Sequence, residues 1–245
     1  MDHYTLAMKD ADIYQKEYLV LNKVNLKIYP GEFIFLIGKT GSGKSSLLKT
    51  IYGAIPLQKG EAEVAGFNLK SIRRNQLPLM RRKLGMIFQD FLLLEDRTVY
   101  DNLAFVLRAT GWKDTNEIDR KINQSLQEVG MKYQAHKMPH QLSGGEKQRL
   151  AISRALINSP ELIIADEATT ALDATIQAQL LELMYSIVTK YNTALVLVTH
   201  NLGIVARYAH RINVMYAGRI VESGTVREIW EKPMHPYTEG LLKCV

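Results

Sequence analysis

The stretch Phe33 to Ser46, FIFLIGKTGSGKSS, constrains this chain more than any other, because a short apolar run ends abruptly in glycines, a lysine and hydroxyls. The run reads as a buried strand, and the residues after it read as a phosphate cradle that opens a helix. Gly38, Gly41 and Gly43 permit the tight turns that aim backbone N–H groups inward, with Lys39, Thr40, Ser42 and Ser46 completing the loop. Lys44 is placed to reach β- and γ-phosphates and Ser45 to bind Mg²⁺, at a helix start whose dipole favours negative charge. The pattern is GxxxxGKS, the P-loop, in full.

The remaining letters bound what can surround this loop. A chain of 245 residues buries a substantial core as one domain with an inserted lobe or as two small domains. No apolar run exceeds about half a dozen residues, too few to span a bilayer. The first ten residues, MDHYTLAMKD, lack the basic and then apolar pattern of a secretory signal, so a cytoplasmic protein is expected. The single cysteine, Cys244, excludes an intrachain disulfide and a thiolate metal cluster. The net charge of +6 is scattered, with only Arg73, Arg74, Arg81, Arg82 and Lys83 close together; these read as a solvated face. No nucleic-acid partner is expected.

Taken in order, Tyr4 to Ile28 alternates apolar and polar letters and then turns at Pro30-Gly31, which predicts an antiparallel β layer packed on the P-loop sheet. Tyr14, expected in a turn between the first strands, offers an aromatic face for a nucleotide base, with Tyr18 as its competitor. Leu84 to Phe88 reads as a second buried strand ending at Gln89, whose amide oxygen can face Mg²⁺ or an attacking water. From Phe91 to His140 the spacing turns helical, an inserted lobe that leads into LSGGE. There Ser143 and Glu146 form a capping-box pair, and Gly144 and Gly145 leave the first amides uncovered, a second anion site on the same chain.

Leu162 to Ala165 reads as a third buried strand that delivers Asp166 and Glu167 at its C-terminal end, where ligands sit in open α/β sheets. Asp166 is suited to holding the Mg²⁺ shell through water, and Glu167 to the role of general base toward an attacking water. Asp173 caps a long helix with Ile176, Leu180, Leu183, Met184 and Ile187 on one face. A fourth strand, Ala194 to Thr199, ends at His200, whose imidazole can hydrogen-bond a γ-phosphate. Two last strands joined by Ala217-Gly218 precede a helical tail ending in HPYTEGLL.

In this order and at this spacing, GKTGSGKS, Gln89, LSGGE, LIIADE, Ala171-Leu172-Asp173 and His200 resemble the nucleotide-binding subunit of an ABC transporter along essentially the whole chain. The resemblance implies an α/β P-loop NTPase core, mostly parallel sheet with flanking helices, carrying an N-terminal antiparallel β layer and an inserted α-helical lobe. Residues 1–90 and 160–245 would form the nucleotide-binding core and 91–159 the helical subdomain. It implies ATP and Mg²⁺ as cofactors, with Tyr14 stacking on the base and Gly38 to Ser46 holding phosphates. Ser143 to Glu146 would be the signature, Glu167 the catalytic base, Asp173 a dimer contact and His200 the γ-phosphate switch.

Two phosphate-seeking helix starts are redundant for one nucleotide, and a head-to-tail homodimer that sandwiches two ATP between P-loops and signatures resolves this. The resemblance further implies an integral membrane subunit and a place at the inner face of the cell membrane. Up to about Leu162 the motifs are similar to the bacterial cell-division ABC ATPase, and from Ile163 on to oligopeptide importer ATPases, as if joined near Glu161 to Asp166. A cell-division type of membrane subunit is therefore expected, with a peptide importer as the alternative. Ala168 stands where the family usually has proline. Because proline restricts the residue before it, the alanine is expected to loosen Glu167 and slow hydrolysis.

Overall fold

The computed structural model describes residues 4–88, 90–167, 174–199, 203 and 207–243. The strands are β1 (Leu6–Gln15), β2 (Tyr18–Ile28), β3 (Phe33–Ile37), β4 (Lys59–Val64), β5 (Phe67–Asn68), β6 (Leu84–Ile87), β7 (Leu162–Asp166), β8 (Ala194–Val198), β9 (Arg211–Tyr216) and β10 (Arg219–Thr225). The helices, in chain order, are α1 (Lys44–Ile51), α2 (Leu77–Arg82), α3 (Val99–Ala109), α4 (Thr115–Glu128), α5 (Gly144–Leu156), α6 (Ala174–Tyr191), α7 (Val226–Glu231) and α8 (Pro236–Leu242).

The apolar runs become the middle of a six-stranded sheet in the order β10-β9-β3-β8-β7-β6. It is parallel from β9 to β6, and only β10 runs antiparallel, as a hairpin with β9. Every residue of β3 and of β8 is buried, as a parallel sheet covered on both faces requires. Alternation divides β3 between two cores. Phe33, Phe35 and Ile37 pack with the apolar faces of α3, α4, α5 and α6, and the rings of Phe33 and Phe35 stack with centroids 4.9 Å apart. Ile34 and Leu36 pack with α1 and with Leu6, Ile13, Leu21 and Val24 of the second sheet.

That second sheet is four-stranded and antiparallel, in the order β2-β1-β4-β5. Between the two layers, the C-terminal ends of β3, β7 and β8 meet the start of α1. The inserted segment forms α3, α4 and α5, which pack on one another through Leu103, Leu107, Ile122, Leu126 and Leu150. Thr98 and Asp114 cap α3 and α4 by accepting the amides of Asp101 and Glu117, so both helices begin where a short polar side chain satisfies their unpaired donors. No helix among the described residues is long and apolar enough to cross a membrane.

Two expectations need correction. Tyr14 lies on β1, opposite Leu19, and the turn is Lys16-Glu17 instead; the two strands pair up to Gln15–Tyr18, leaving only two residues to reverse the chain. The basic cluster is a solvated face at Arg73, Arg74 and Lys83, whose side chain stays 44% exposed while pairing with Glu161 at 2.9 Å. Arg81 departs from it: its guanidinium lies over the Tyr52 ring and donates to the Tyr52 and Gly53 carbonyls.

Candidate nucleotide site

The loop between β3 and α1 does what its glycines require. Gly43 is the N-cap of α1 at φ 102°, and a Cβ there would lie 2.3 Å from Leu21 Cδ2, so only glycine lets the loop pass the β2 strand. Gly41, at φ 83°, faces open space, which leaves its backbone accessible. No side chain caps α1 and no acid stands in its first turn, so its amides remain available to an anion. Lys44 is buried, and its ammonium donates to the carbonyls of Gly38 at 2.6 Å and Lys39 at 3.0 Å.

A cavity of about 280 Å³ opens above this loop, lined by Gln15, Val20, Thr40, Gly41, Gly43, Lys44, Ser45, Ser46 and Glu167. Gln15 and Val20 come from the β1–β2 hairpin, and Gln15 Nε2 donates to Ser46 Oγ at 3.0 Å. Neither residue stands out in the sequence. Their contribution depends on the hairpin folding over α1, a long-range contact that no local pattern encodes. Tyr14 and Tyr18 do not line this cavity. Lys59 sits over the Tyr14 ring at 5.6 Å, and Tyr18 is 79% exposed.

Asp166 ends β7, close enough to the Ser45 hydroxyl at the start of α1 for the hydroxyl to favour its charged form. Burial pushes the Asp166 carboxyl above its ordinary range, the neighbouring Glu167 adds to this, and Lys44 and Lys49 oppose it. Burial lowers the Lys44 ammonium, against the charges of Glu167 and Asp166. Glu167 lies on the cavity wall at φ 49°, a left-handed conformation uncommon outside glycine, with its amide donating to Val198 O at 3.2 Å. Among the described residues no cluster of three His, Cys, Asp or Glu side chains could hold a metal unaided. A hydroxyl next to one half-buried carboxylate beside a phosphate cradle suits a cation that shares its ligands with a bound phosphate, as Mg²⁺ does.

The LSGGE segment forms a separate helix start. Ser143 is the N-cap of α5, its hydroxyl accepting the Glu146 amide at 3.3 Å, while Glu146 Oε2 accepts the Ser143 amide at 2.8 Å and its hydroxyl at 2.9 Å. A Cβ on Gly145 would lie 3.2 Å from Ile176 Cγ2, which fits the tight seat of α5 against α6. Ser143, Gly144, Gly145 and Glu146 are absent from the walls of the P-loop cavity. Gln89, Asp173 and His200 lie outside the described residues, as does Ala168.

A parallel sheet that delivers a P-loop and Glu167 to one cavity, with Asp166 at the adjoining strand end, defines a P-loop nucleoside triphosphatase. The model of the ABC transporter family matches residues 21–170. The methionine import ATP-binding protein MetN of Helicobacter pylori (strain J99) is 39% identical over 230 residues, covering 94% of this chain and 70% of that protein. The cell division ATP-binding protein FtsE of Streptococcus pneumoniae (serotype 2, strain D39) is 38% identical over 208 residues, 85% of this chain and 90% of that protein. Among solved structures, the dimeric post-hydrolysis state of the ATP-binding cassette MJ0796 bound to ADP and Pi has a TM-score of 0.79 at 29% identity, covering 91% of this chain and 99% of that one. The chain belongs to the ABC transporter family: it is an ATP-binding subunit of the ABC ATPase type. The match to the methionine importer runs through Glu161 to Asp166, so similarity to a single relative spans the expected join.

Proposed function

We propose that this chain is the ATP-hydrolysing motor of a membrane complex, working as a head-to-tail homodimer with two ATP at its interface. The observation that carries the reading is that one chain presents two anion-seeking helix starts, at Gly43 and at Ser143, while only the first lines the cavity. A twofold axis lets each P-loop receive the other chain's signature. The MJ0796 relative is described as a dimer bound to ADP and Pi, which agrees with this arrangement.

In this reading the loop from Gly38 to Ser46, through its uncommitted amides and the Lys44 ammonium, holds the phosphates, with Tyr14 at the base. Ser45, Asp166 and Gln89 would hold Mg²⁺, which would supply charge neutralisation to the bound triphosphate. Glu167 accepts a proton from water as its oxygen attacks the γ-phosphorus and ADP leaves, His200 contacts the γ-phosphate, and Asp173 meets the partner chain. A proline in place of Ala168 would bias Glu167 away from the φ of 49° it adopts, so Ala168→Pro should change the turnover rate. Residues 91–159 act as a helical subdomain that moves against the core.

The membrane subunit docks beside that subdomain. A groove of about 340 Å³ between core and lobe is lined by Tyr52, Arg81, Phe88, Leu92, Phe105 and Arg154, with Leu92 and Phe105 exposed. Arg154 holds the groove's rim by donating to the carbonyls of Phe91 and Leu92, both at positive φ. The lobe favours a cell-division type of membrane subunit; an importer subunit is the alternative that the methionine-import relative supports. In this reading the chain works at the inner face of the cell membrane.

Glu167→Gln removes the base while keeping shape, so on size-exclusion chromatography with ATP the variant should elute as a dimer and without ATP as a monomer. A monomer under both conditions overturns the shared-site mechanism. Pull-downs with each type of membrane subunit decide the partner, and capture by importer subunits alone reverses the preference for the cell-division type.

A further inference from the structure

We infer that Tyr237, on the C-terminal tail, is a positioning residue for the P-loop. The Lys39 amide donates to Tyr237 Oη at 2.8 Å, joining residues 198 apart in sequence. That N–H belongs to the Gly38–Lys39 peptide group, whose carbonyl is the one that accepts from the Lys44 ammonium at 2.6 Å. A trans peptide is planar, with its C=O and N–H pointing in opposite directions. Fixing the N–H on the tail side therefore fixes the direction in which the carbonyl faces Lys44. Donating on one side while accepting on the other also polarises the group, strengthening both bonds. Tyr237 thus sets the position from which Lys44 meets a triphosphate.

The tail is built to hold the phenol there. The Tyr237 ring packs on Tyr216 at the end of β9, with centroids 4.4 Å apart. The Tyr237 amide donates to His235 Nδ1 at 3.1 Å, and Pro236 occupies the first turn of α8, where a missing N–H costs nothing. Just upstream, the Glu222 carboxylate of β10 accepts the amides of Met234 at 2.7 Å and His235 at 3.1 Å. The approach of tail to loop is therefore anchored on the edge hairpin of the same sheet that carries the P-loop.

This inference rests on the P-loop as the triphosphate site. Its test is Tyr237→Phe, which removes the acceptor oxygen and leaves the ring on Tyr216. In the full chain, the Kd for ATP by calorimetry and the KM for hydrolysis should rise about three- to tenfold, the effect of one lost hydrogen bond. The kcat at saturating ATP should stay within about twofold. Hydrogen exchange at the Lys39 amide should accelerate without ATP. Glu222→Gln, which weakens the anchor, should move the same quantities in the same direction by less. A merely structural tyrosine would instead lower thermal stability with Kd and KM unchanged, and that result overturns the inference. Wild-type protein that binds ATP and a Lys44→Ala variant that does not, alongside Tyr237→Phe that binds like wild type, would sink this inference alone. Undiminished binding by Lys44→Ala would instead refute the P-loop reading beneath it.

Discussion

The two helix starts that face anions in this fold are prepared in opposite ways. At α1 the N-cap is Gly43, no side chain covers the amides, and the acids beside it, Asp166 and Glu167, come from the end of β7 and the residue after it. At α5 the chain closes its own site: the Glu146 carboxylate takes both the amide and the hydroxyl of Ser143. The acids record the difference. Burial and Glu167 push Asp166 up, whereas the Ser143 amide and then its hydroxyl hold Glu146 below the ordinary carboxylate range. One start is left bare, and the other has its N-cap hydroxyl and amide engaged by its own Glu146. In the proposed head-to-tail dimer the P-loop would set the affinity of a single chain for nucleotide, and the signature would contribute only when a triphosphate presented by a second chain competes with Glu146 for Ser143.

The largest test of this asymmetry is Lys44→Ala. Losing a charge-assisted contact at the bare start should weaken ATP binding to the isolated chain about 100-fold, measured by calorimetry. Asp166→Asn comes next, and its signs are opposed. Turnover should fall about 10- to 100-fold, as when a metal site loses one ligand. Stability without nucleotide should rise, because a carboxyl raised by folding costs stability that sets in above its unfolded value and grows until the pH passes its folded value, and the amide does not carry that cost. A lower thermal midpoint for Asp166→Asn would contradict the description of this start as frustrated. Ser143→Ala should reduce turnover about tenfold while leaving ATP binding to the single chain unchanged. If it weakened that binding as Lys44→Ala does, the two starts would belong to one site within one chain.

Much of this contrast is legible in the letters. FIFLI, LIIA and ALVLV announce fully buried strands because a sheet covered on both faces admits no polar alternation, and each appears as read. Ser143 and Glu146 at their spacing announce the capping box that the structure contains. Other features depend on contacts that no window of sequence holds. Gln15 and Val20 reach the cavity only because β1 and β2 fold over α1, and Tyr237 reaches Lys39 only because the tail follows the β9–β10 hairpin back to the loop. Tyr14 departs from its expected turn for a different reason: the reversal at Lys16-Glu17 contains no glycine or proline, and its tightness shows only in the pairing of Gln15 with Tyr18.

Glu146→Gln gives the smallest effect and the most specific one. Glutamine preserves the acceptor geometry of the box but does not titrate and offers a weaker, uncharged acceptor. Because folding lowers the Glu146 carboxyl, its contribution is full above the unfolded carboxylate range, near pH 4.3, and is lost as pH falls through the lower folded value. Wild type should therefore exceed Glu146→Gln in thermal midpoint by only about a degree or two at neutral pH, with the gap closing as the pH drops below about 4. The same change removes a negative charge from the place where a γ-phosphate must arrive, so ATP-dependent dimerisation should tighten about twofold even as the fold weakens. Stability and assembly would then move in opposite directions at α5, just as stability and turnover do at Asp166. A variant that loses both together would show that Glu146 serves the signature's affinity for nucleotide and does not compete with it.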